Sequence, residues 1–182
     1  LGGKDLFFRP GDNILLKPNF LKDDPRHKGI ITNPKLIREI AIIALDSGCK
    51  VRIGDSPGFG SIGWVLNRSG YSDIFSDLDV KIVDFNNPVE LRNKEGIFKR
   101  FYVDKEILEA DKIINLPKVK SHGQMIITMA LKNMFGAIVG KRKIQWHLNT
   151  GIRYMDFAKM LVELHYAINP SLNIIDGIVG ME

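Results

Sequence analysis

At 182 residues the chain is long enough to bury most of its apolar surface in one core. Its 45% hydrophobic and 26% charged composition excludes collagen-like, low-complexity and disulfide-stapled classes. The formal charge is +5, yet Lys112 to Met155 carries eight Lys or Arg and no acid, so the rest sums to −3. A positive field concentrated in this way is expected of a site that attracts an anion. The pI near 9.3 permits nucleic-acid binding without demanding it.

The single Cys49 allows neither an intrachain disulfide nor a cysteine-ligated cluster, and fits a reducing cytosol. Neither end reads as a signal peptide. The apolar run from Met125 to Val139 is broken by Lys132-Asn133 and is too short to span a bilayer. The expected location is therefore cytoplasmic. The chain begins at Leu1 and stops at Gly180-Met181-Glu182, just after a strand-like run. It is expected to be a single α/β domain over residues 1–182, a fragment of a longer chain truncated at its C-terminus.

In chain order, Ile14-Leu15-Leu16 reads as a buried strand that stops at Lys17-Pro18-Asn19, because Pro18 has no amide to donate. Thr32-Asn33-Pro34 opens a helix with a capping residue and a first-turn proline, and Gly48 closes it. Val51-Arg52-Ile53 forms the next strand, running into Gly54-Asp55-Ser56-Pro57-Gly58. A short helix at Trp64 to Arg68 precedes a strand at Val80 to Val83. Ile97 to Val103 reads as strand, Asp104 to Glu109 as a short helix, and Lys112 to Leu116 as a buried strand. Apolar spacing predicts helices over Met125 to Phe135 and Tyr154 to Ile168, and the last strand is Leu172 to Asp176. This alternation predicts an α/β fold, a mostly parallel β-sheet flanked by helices in three layers. In such sheets ligands collect outside the carboxyl ends of the strands, where Lys17, Asn19, Asp55, Lys118, Lys120 and Asp176 all fall.

The leading constellation is Lys118-x-Lys120-x-His122. In an extended segment these alternate side chains face one way, two ammonium groups beside an imidazole able to act as acid or base. A solvated basic loop is the plain alternative. Lys132-Asn133 lies in an otherwise apolar segment, where a lysine either snorkels to solvent or reaches a polar cavity. Gly140-Lys141-Arg142-Lys143 reads as a flexible basic loop, either a solvated tip or one facing phosphate or nucleic acid. Gly58-x-Gly60-x-x-Gly63, with Asp84 closing the next strand 21 residues on, matches the letters of a dinucleotide fingerprint. Ser56-Pro57 interrupts the tight turn that fingerprint needs, so a loop presenting Asp55 and Ser56 is the simpler reading. His122, His147 and Asp55 or Asp176 offer metal-ligand chemistry but no local ligand spacing, and no metal site is expected.

Lys17-Pro18-Asn19, Thr32-Asn33-Pro34, Gly54-Asp55-Ser56-Pro57-Gly58, Ile114 to His122, Ala130 to Gly136 and Ile175-Asp176-Gly177-Ile178 together resemble the family called domain of unknown function 362. Many members of that family carry a ferredoxin-like, cysteine-rich module. The resemblance implies a cytoplasmic α/β protein linked to redox or iron–sulfur metabolism. With one cysteine here, a 4Fe-4S module would have to lie elsewhere in a longer chain. A more distant likeness in organisation to the nickel-pincer lactate racemase group transfers neither cofactor nor reaction.

The functional expectation is an enzyme, or the binding domain of one, that holds a small anionic carboxylate or phosphate ligand at the sheet's carboxyl edge. Lys17, Lys118, Lys120 and Lys132 would neutralise charge. Asn19, Ser56, Asn133 and Asp176 would line or orient the ligand, and His122 with Asp55 would handle protons. The cofactor is left unknown. The alternative is an electron-transfer or scaffolding partner whose basic surface docks a ferredoxin-like module without catalysis of its own. No membrane partner is expected. Nucleic acid ranks last, because only Trp146 and Tyr154 offer aromatic faces among the basic residues.

Overall fold

The computed structural model describes residues 3–123, 126–150 and 154–181, with only the backbone described at 141 and 147–150. Strand β1 (Asn13–Lys17) is followed by helix α1 (Pro34–Asp46), β2 (Lys50–Asp55), α2 (Ile62–Arg68) and β3 (Val80–Asp84). A hairpin of β4 (Pro88–Arg92) and β5 (Arg100–Asp104), then α3 (Lys105–Leu108), leads to β6 (Lys112–Asn115). Next come β7 (Lys118–His122), β8 (Ile126–Thr128), α4 (Ala130–Met134), α5 (Lys141–Thr150), α6 (Tyr154–Ile168), β9 (Leu172–Asn173) and β10 (Asp176–Met181).

The main sheet is parallel throughout, in the order β3-β2-β1-β6-β9. Its central strand β1 pairs on both sides, Leu16 opposite Ile53 and Ile114, and carries a fully buried Ile14-Leu15-Leu16 run. A parallel sheet covered on both faces requires such uninterrupted apolar strands. Ile14 and Leu16 belong to one core with Ile37, Ala41, Ala44, Val65 and Leu66 of α1 and α2. Leu15 points the other way, into a second core with Phe101, Val103, Phe157, Met160 and Leu164. Helices, sheet, and a layer built on α6 and the β4–β5 hairpin make the three layers. The helix starts follow local chemistry: the Asn33 side chain accepts from the Lys35 amide with Pro34 in the first turn, and the Ser61 side chain accepts from the Trp64 amide.

Three expectations are corrected and one strand was missed. Met125 to Phe135 is not one helix: 126–128 form β8, antiparallel to β7 with Lys120 opposite Thr128, and only 130–134 are α-helical. Short apolar runs serve either period, and the open edge of β7 decides in favour of a strand. The basic segment after Gly140 is no loop but the start of α5. Its Trp146, one turn beyond Lys143, packs against Phe98 and Phe101 at 5.4 and 5.8 Å between ring centroids. The last strand ends at Asn173; the Asp176 amide then bonds to Pro117 O, and β10 joins β7 in a second sheet ordered β10-β7-β8. The β4 strand was not anticipated.

Phe101 is fully buried in β5 whereas its neighbour Tyr102 is 37% exposed. Phe101→Ala is expected to cost about 3–5 kcal/mol in a denaturant titration, and Tyr102→Ala, which removes a face for Arg142, about 1 kcal/mol or less.

Candidate functional site

After β3 the chain returns to the far side of β1, so β1 and β6 end side by side at Lys17 and Asn115 with their connections leaving in opposite directions. This reversal of strand order is where open α/β sheets leave a crevice. Its floor is a buried ion pair. Lys17 Nζ lies 2.6 Å from Asp55 Oδ1 and also donates to Pro18 O at 2.8 Å, while Asp55 Oδ2 accepts the Phe20 amide at 2.7 Å. Burial alone would raise the Asp55 pKa, but Lys17, Lys143 and these hydrogen bonds outweigh it and hold the carboxyl below its ordinary value. Burial pulls Lys17 below its ordinary value against the attraction of Asp55. Gly136 crosses directly over the pair. A Cβ there would lie 2.6 Å from both Asp55 Oδ1 and Lys17 Nζ, so only glycine fits.

Above the pair opens a cleft of about 350 Å³ whose polar lining includes Ser56, Lys120, His122, Thr128, Lys132 and Lys143. Lys120 Nζ donates to Asn19 Oδ1 at 2.6 Å and to Ile30 O at 3.0 Å. Lys143 Nζ donates to Ser56 O at 2.8 Å. Lys132 Nζ sits 4.6 Å from the centre of the Phe135 ring. Burial is the main cause that lowers each of these three lysines to about 8, and Lys17 lowers each of them further. Asp55 opposes the shift only at Lys120 and Lys143. Three ammonium groups, those of Lys17, Lys120 and Lys143, thus feel one carboxylate, and Lys132 lines the same cleft.

The strand ends are tied together by amides. Asn133 Nδ2 donates to Asn115 Oδ1 at 2.7 Å and to Lys17 O at 3.1 Å, and Asn133 Oδ1 accepts from Asn19 Nδ2 at 3.2 Å. Asn115 Nδ2 reaches Asn173 Oδ1 at 2.7 Å and Ala130 O at 3.1 Å. Asn19 and Asn133 therefore position the walls of the cleft, and Asp55, with both oxygens accepting, anchors its floor.

Of the expected site residues, Asn19, Asp55, Ser56, Lys120, His122, Lys132 and Asn133 line this cleft, and Lys17 lies beneath it. Lys118 and Asp176 do not join them. Lys118 Nζ is 2.9 Å from Asp176 Oδ2, which also accepts the Asn33 amide at 2.8 Å, and both side chains face a separate cavity of about 130 Å³. The acid that answers Lys118 comes from β10, a strand the sequence reading did not separate. Lys143, Asn115 and Thr128 were missed as site residues. For Lys143 a usable signal existed, since Lys143 and Trp146 share a helical face.

The glycine loop follows β2, not the central β1. Asp84 Oδ1 accepts the Ile62 amide at 2.7 Å and Gly58 N donates to Leu21 O at 2.9 Å, so the fingerprint's acid holds a helix start. Among the described residues no three His, Cys, Asp or Glu side chains are grouped to hold a metal, and the side chain of His147 lies outside them. Cys49 is buried, with its thiol pushed up by burial and its Sγ donating to Arg9 O at 3.2 Å.

The sequence pattern of the family described as Domain of unknown function (DUF362) matches residues 14–182. A thylakoid-associated protein of Synechocystis sp. is 41% identical over 182 residues, which are 100% of this chain and 56% of that protein. The chain thus spans about half the length of the curated relative it matches. The lactate racemase apoprotein from Thermoanaerobacterium thermosaccharolyticum shares the fold, with a TM-score of 0.64 over 94% of this chain and 44% of that one, at 14% identity.

Asp55→Asn leaves Lys17 buried without a counter-charge and is expected to cost about 3–5 kcal/mol by denaturant titration. Gly136→Ala should be destabilising through the same pair. Asp55 contributes stability that is present above its unfolded pKa and lost as pH falls through the depressed folded value, so the Asp55→Asn deficit should shrink in strong acid.

Proposed function

The chain belongs to the family matched over residues 14–182, and on that footing we propose that it is an enzyme, or the binding domain of one, that holds a small carboxylate or phosphate ligand in the cleft above Lys17 and Asp55. The observation that carries this reading is the charge balance of the cleft: Lys17, Lys120, Lys132 and Lys143 against Asp55, the one acid among the described residues that line it. Bringing like charges together out of water is unfavourable, as the lysine pKa values near 8 record, and an anion entering the cleft relieves that cost.

Lys120 and Lys143, already held by backbone and amide oxygens, form the clamp. His122 on β7 is the group placed to give or take a proton. Asp55 acts by fixing Lys17. With Lys17 and Lys120 buried and Lys132 and Lys143 half-buried, the cleft favours a small ligand over an acidic protein surface, which would need the ammonium groups at the exterior. The solved neighbour is named for lactate, itself a small carboxylate, and agrees in ligand class. A cytoplasmic setting suits the buried thiol. The Synechocystis relative is named as thylakoid-associated, and among the described residues of this chain no helix is long and apolar enough to cross a membrane. An iron–sulfur link would need cysteines other than Cys49.

Calorimetric titration with inorganic phosphate, lactate and pyruvate should show binding to one site. Lys143→Met should weaken it roughly tenfold, the worth of one charge-assisted hydrogen bond. Unchanged affinity in that variant, or no binding of any of the three, overturns the proposal.

The three lowered lysines also set a pH signature. Each loses its proton near 8 in the folded state and near 10.5 in the unfolded chain. Between those values the unfolded chain binds more protons, so their contribution makes stability rise with pH. Over the same window anion affinity should fall. Melting curves from pH 7 to 10, with and without phosphate, read both trends, and Lys120→Met should flatten them.

A further inference from the structure

Three of the four cleft lysines donate to oxygen: Lys17 to Asp55 and Pro18, Lys120 to Asn19 and Ile30, Lys143 to Ser56. Lys132 does not. Its ammonium stands over aromatic rings, 4.6 Å from the centre of Phe135 and 5.8 Å from that of Phe157, and meets no carboxylate among the described residues. Phe135 and Phe157 are buried and packed edge to face at 5.4 Å, so the seat beneath Lys132 is rigid and apolar. The stem of Lys132 leaves α4 toward the same cleft that Lys120, Lys143 and His122 line.

An amine in that position shares the lowered pKa of Lys120 and Lys143 but, among the described residues, not their hydrogen bonds to oxygen. Burial first, then the fields of Lys120 and Lys17, bring it to about 8. About a tenth of the molecules then hold it neutral at pH 7, against fewer than about one in a thousand for an ordinary lysine. Among the described residues the neutral nitrogen also has no hydrogen bond to an oxygen to give up before its lone pair can react. Desolvation beside other cations is the general way a lysine becomes a nucleophile toward carbonyl compounds.

We propose that Lys132 is a nucleophile that captures a small 2-oxo acid as an imine, with the acid's carboxylate held by Lys120 and Lys143. The proposal rests on the anion reading above and narrows its ligand to a carboxylate with an adjacent carbonyl. In the first step the Lys132 Nζ lone pair forms the N–C bond at C2, and the carbonyl π pair moves to oxygen, which takes a proton. Nitrogen then releases a proton, the hydroxyl is protonated and leaves as water, and the nitrogen lone pair closes the C=N bond. That nitrogen keeps its one remaining hydrogen, so the product is an iminium and carries again the positive charge the ammonium gave up on becoming the free amine. One water is released and no oxidant or reductant is consumed. His122 is the cleft residue placed to protonate the departing hydroxyl.

The test is incubation of the protein with pyruvate near pH 8, reduction with sodium borohydride, intact mass and peptide mapping. One reduced pyruvate adduct on the peptide bearing Lys132 is expected. It should be absent in Lys132→Arg and should need roughly tenfold more pyruvate in Lys143→Met. Adducts spread over exposed lysines, or placed on Lys120 or Lys143, overturn the assignment. No adduct while phosphate or lactate still raises the melting temperature overturns the imine and leaves the anion site standing. Absence of both effects removes both readings. Mapping of the unsubstituted protein decides the matter even if Lys132→Arg fails to fold.

Discussion

Lys17 and Asp55 stand at the carboxyl ends of adjacent parallel strands, shielded from water and 2.6 Å apart. Each is tolerable there only because of the other and of the backbone groups that complete them, Pro18 O for the ammonium and the Phe20 amide for the carboxylate. The pair therefore sets where β1 may stop, how the chain turns after it, and how closely α4 and the turn behind it may approach. Gly136 is the visible mark of that approach. What lies above the pair, the cleft and its ring of lysines, is built on a floor whose charges are already balanced.

That floor leaves the upper lysines without an ion pair of their own among the described residues. Asp55 is already engaged with Lys17, and Asp176, the acid that answers Lys118, is paired with it in a different cavity. A cluster in this condition is held by the folding energy of the two apolar cores on either side of the sheet, not by its own contacts. Sites that spend stability in this manner are the places where a ligand can return some of it.

Much of the architecture could be read from the chain. Ile14-Leu15-Leu16 and Ile113-Ile114 declare buried parallel strands by their length and lack of alternation, and Asn33-Pro34 and Gly48 bracket α1 by capping chemistry. The site was legible where its residues sit at strand ends, as Lys17, Asp55 and Lys120 do. It was illegible where pairing is long-range. Nothing near Lys118 announces that its partner lies 58 residues away on β10, and nothing in 126–128 says that an open strand edge will claim them. Lys143 was hidden differently. A basic run with no acids looks the same on a solvated tip as on a helix whose third residue turns inward.

The chain of amides from Asn19 through Asn133 and Asn115 to Asn173 carries no net charge and no titrating proton. Proton gain or loss by the surrounding lysines alters the potential inside the cleft without removing a strut from its walls. Acidity can then govern how often the cavity is filled while its outline stays constant, so recognition of shape and response to pH are separate properties of one small piece of architecture.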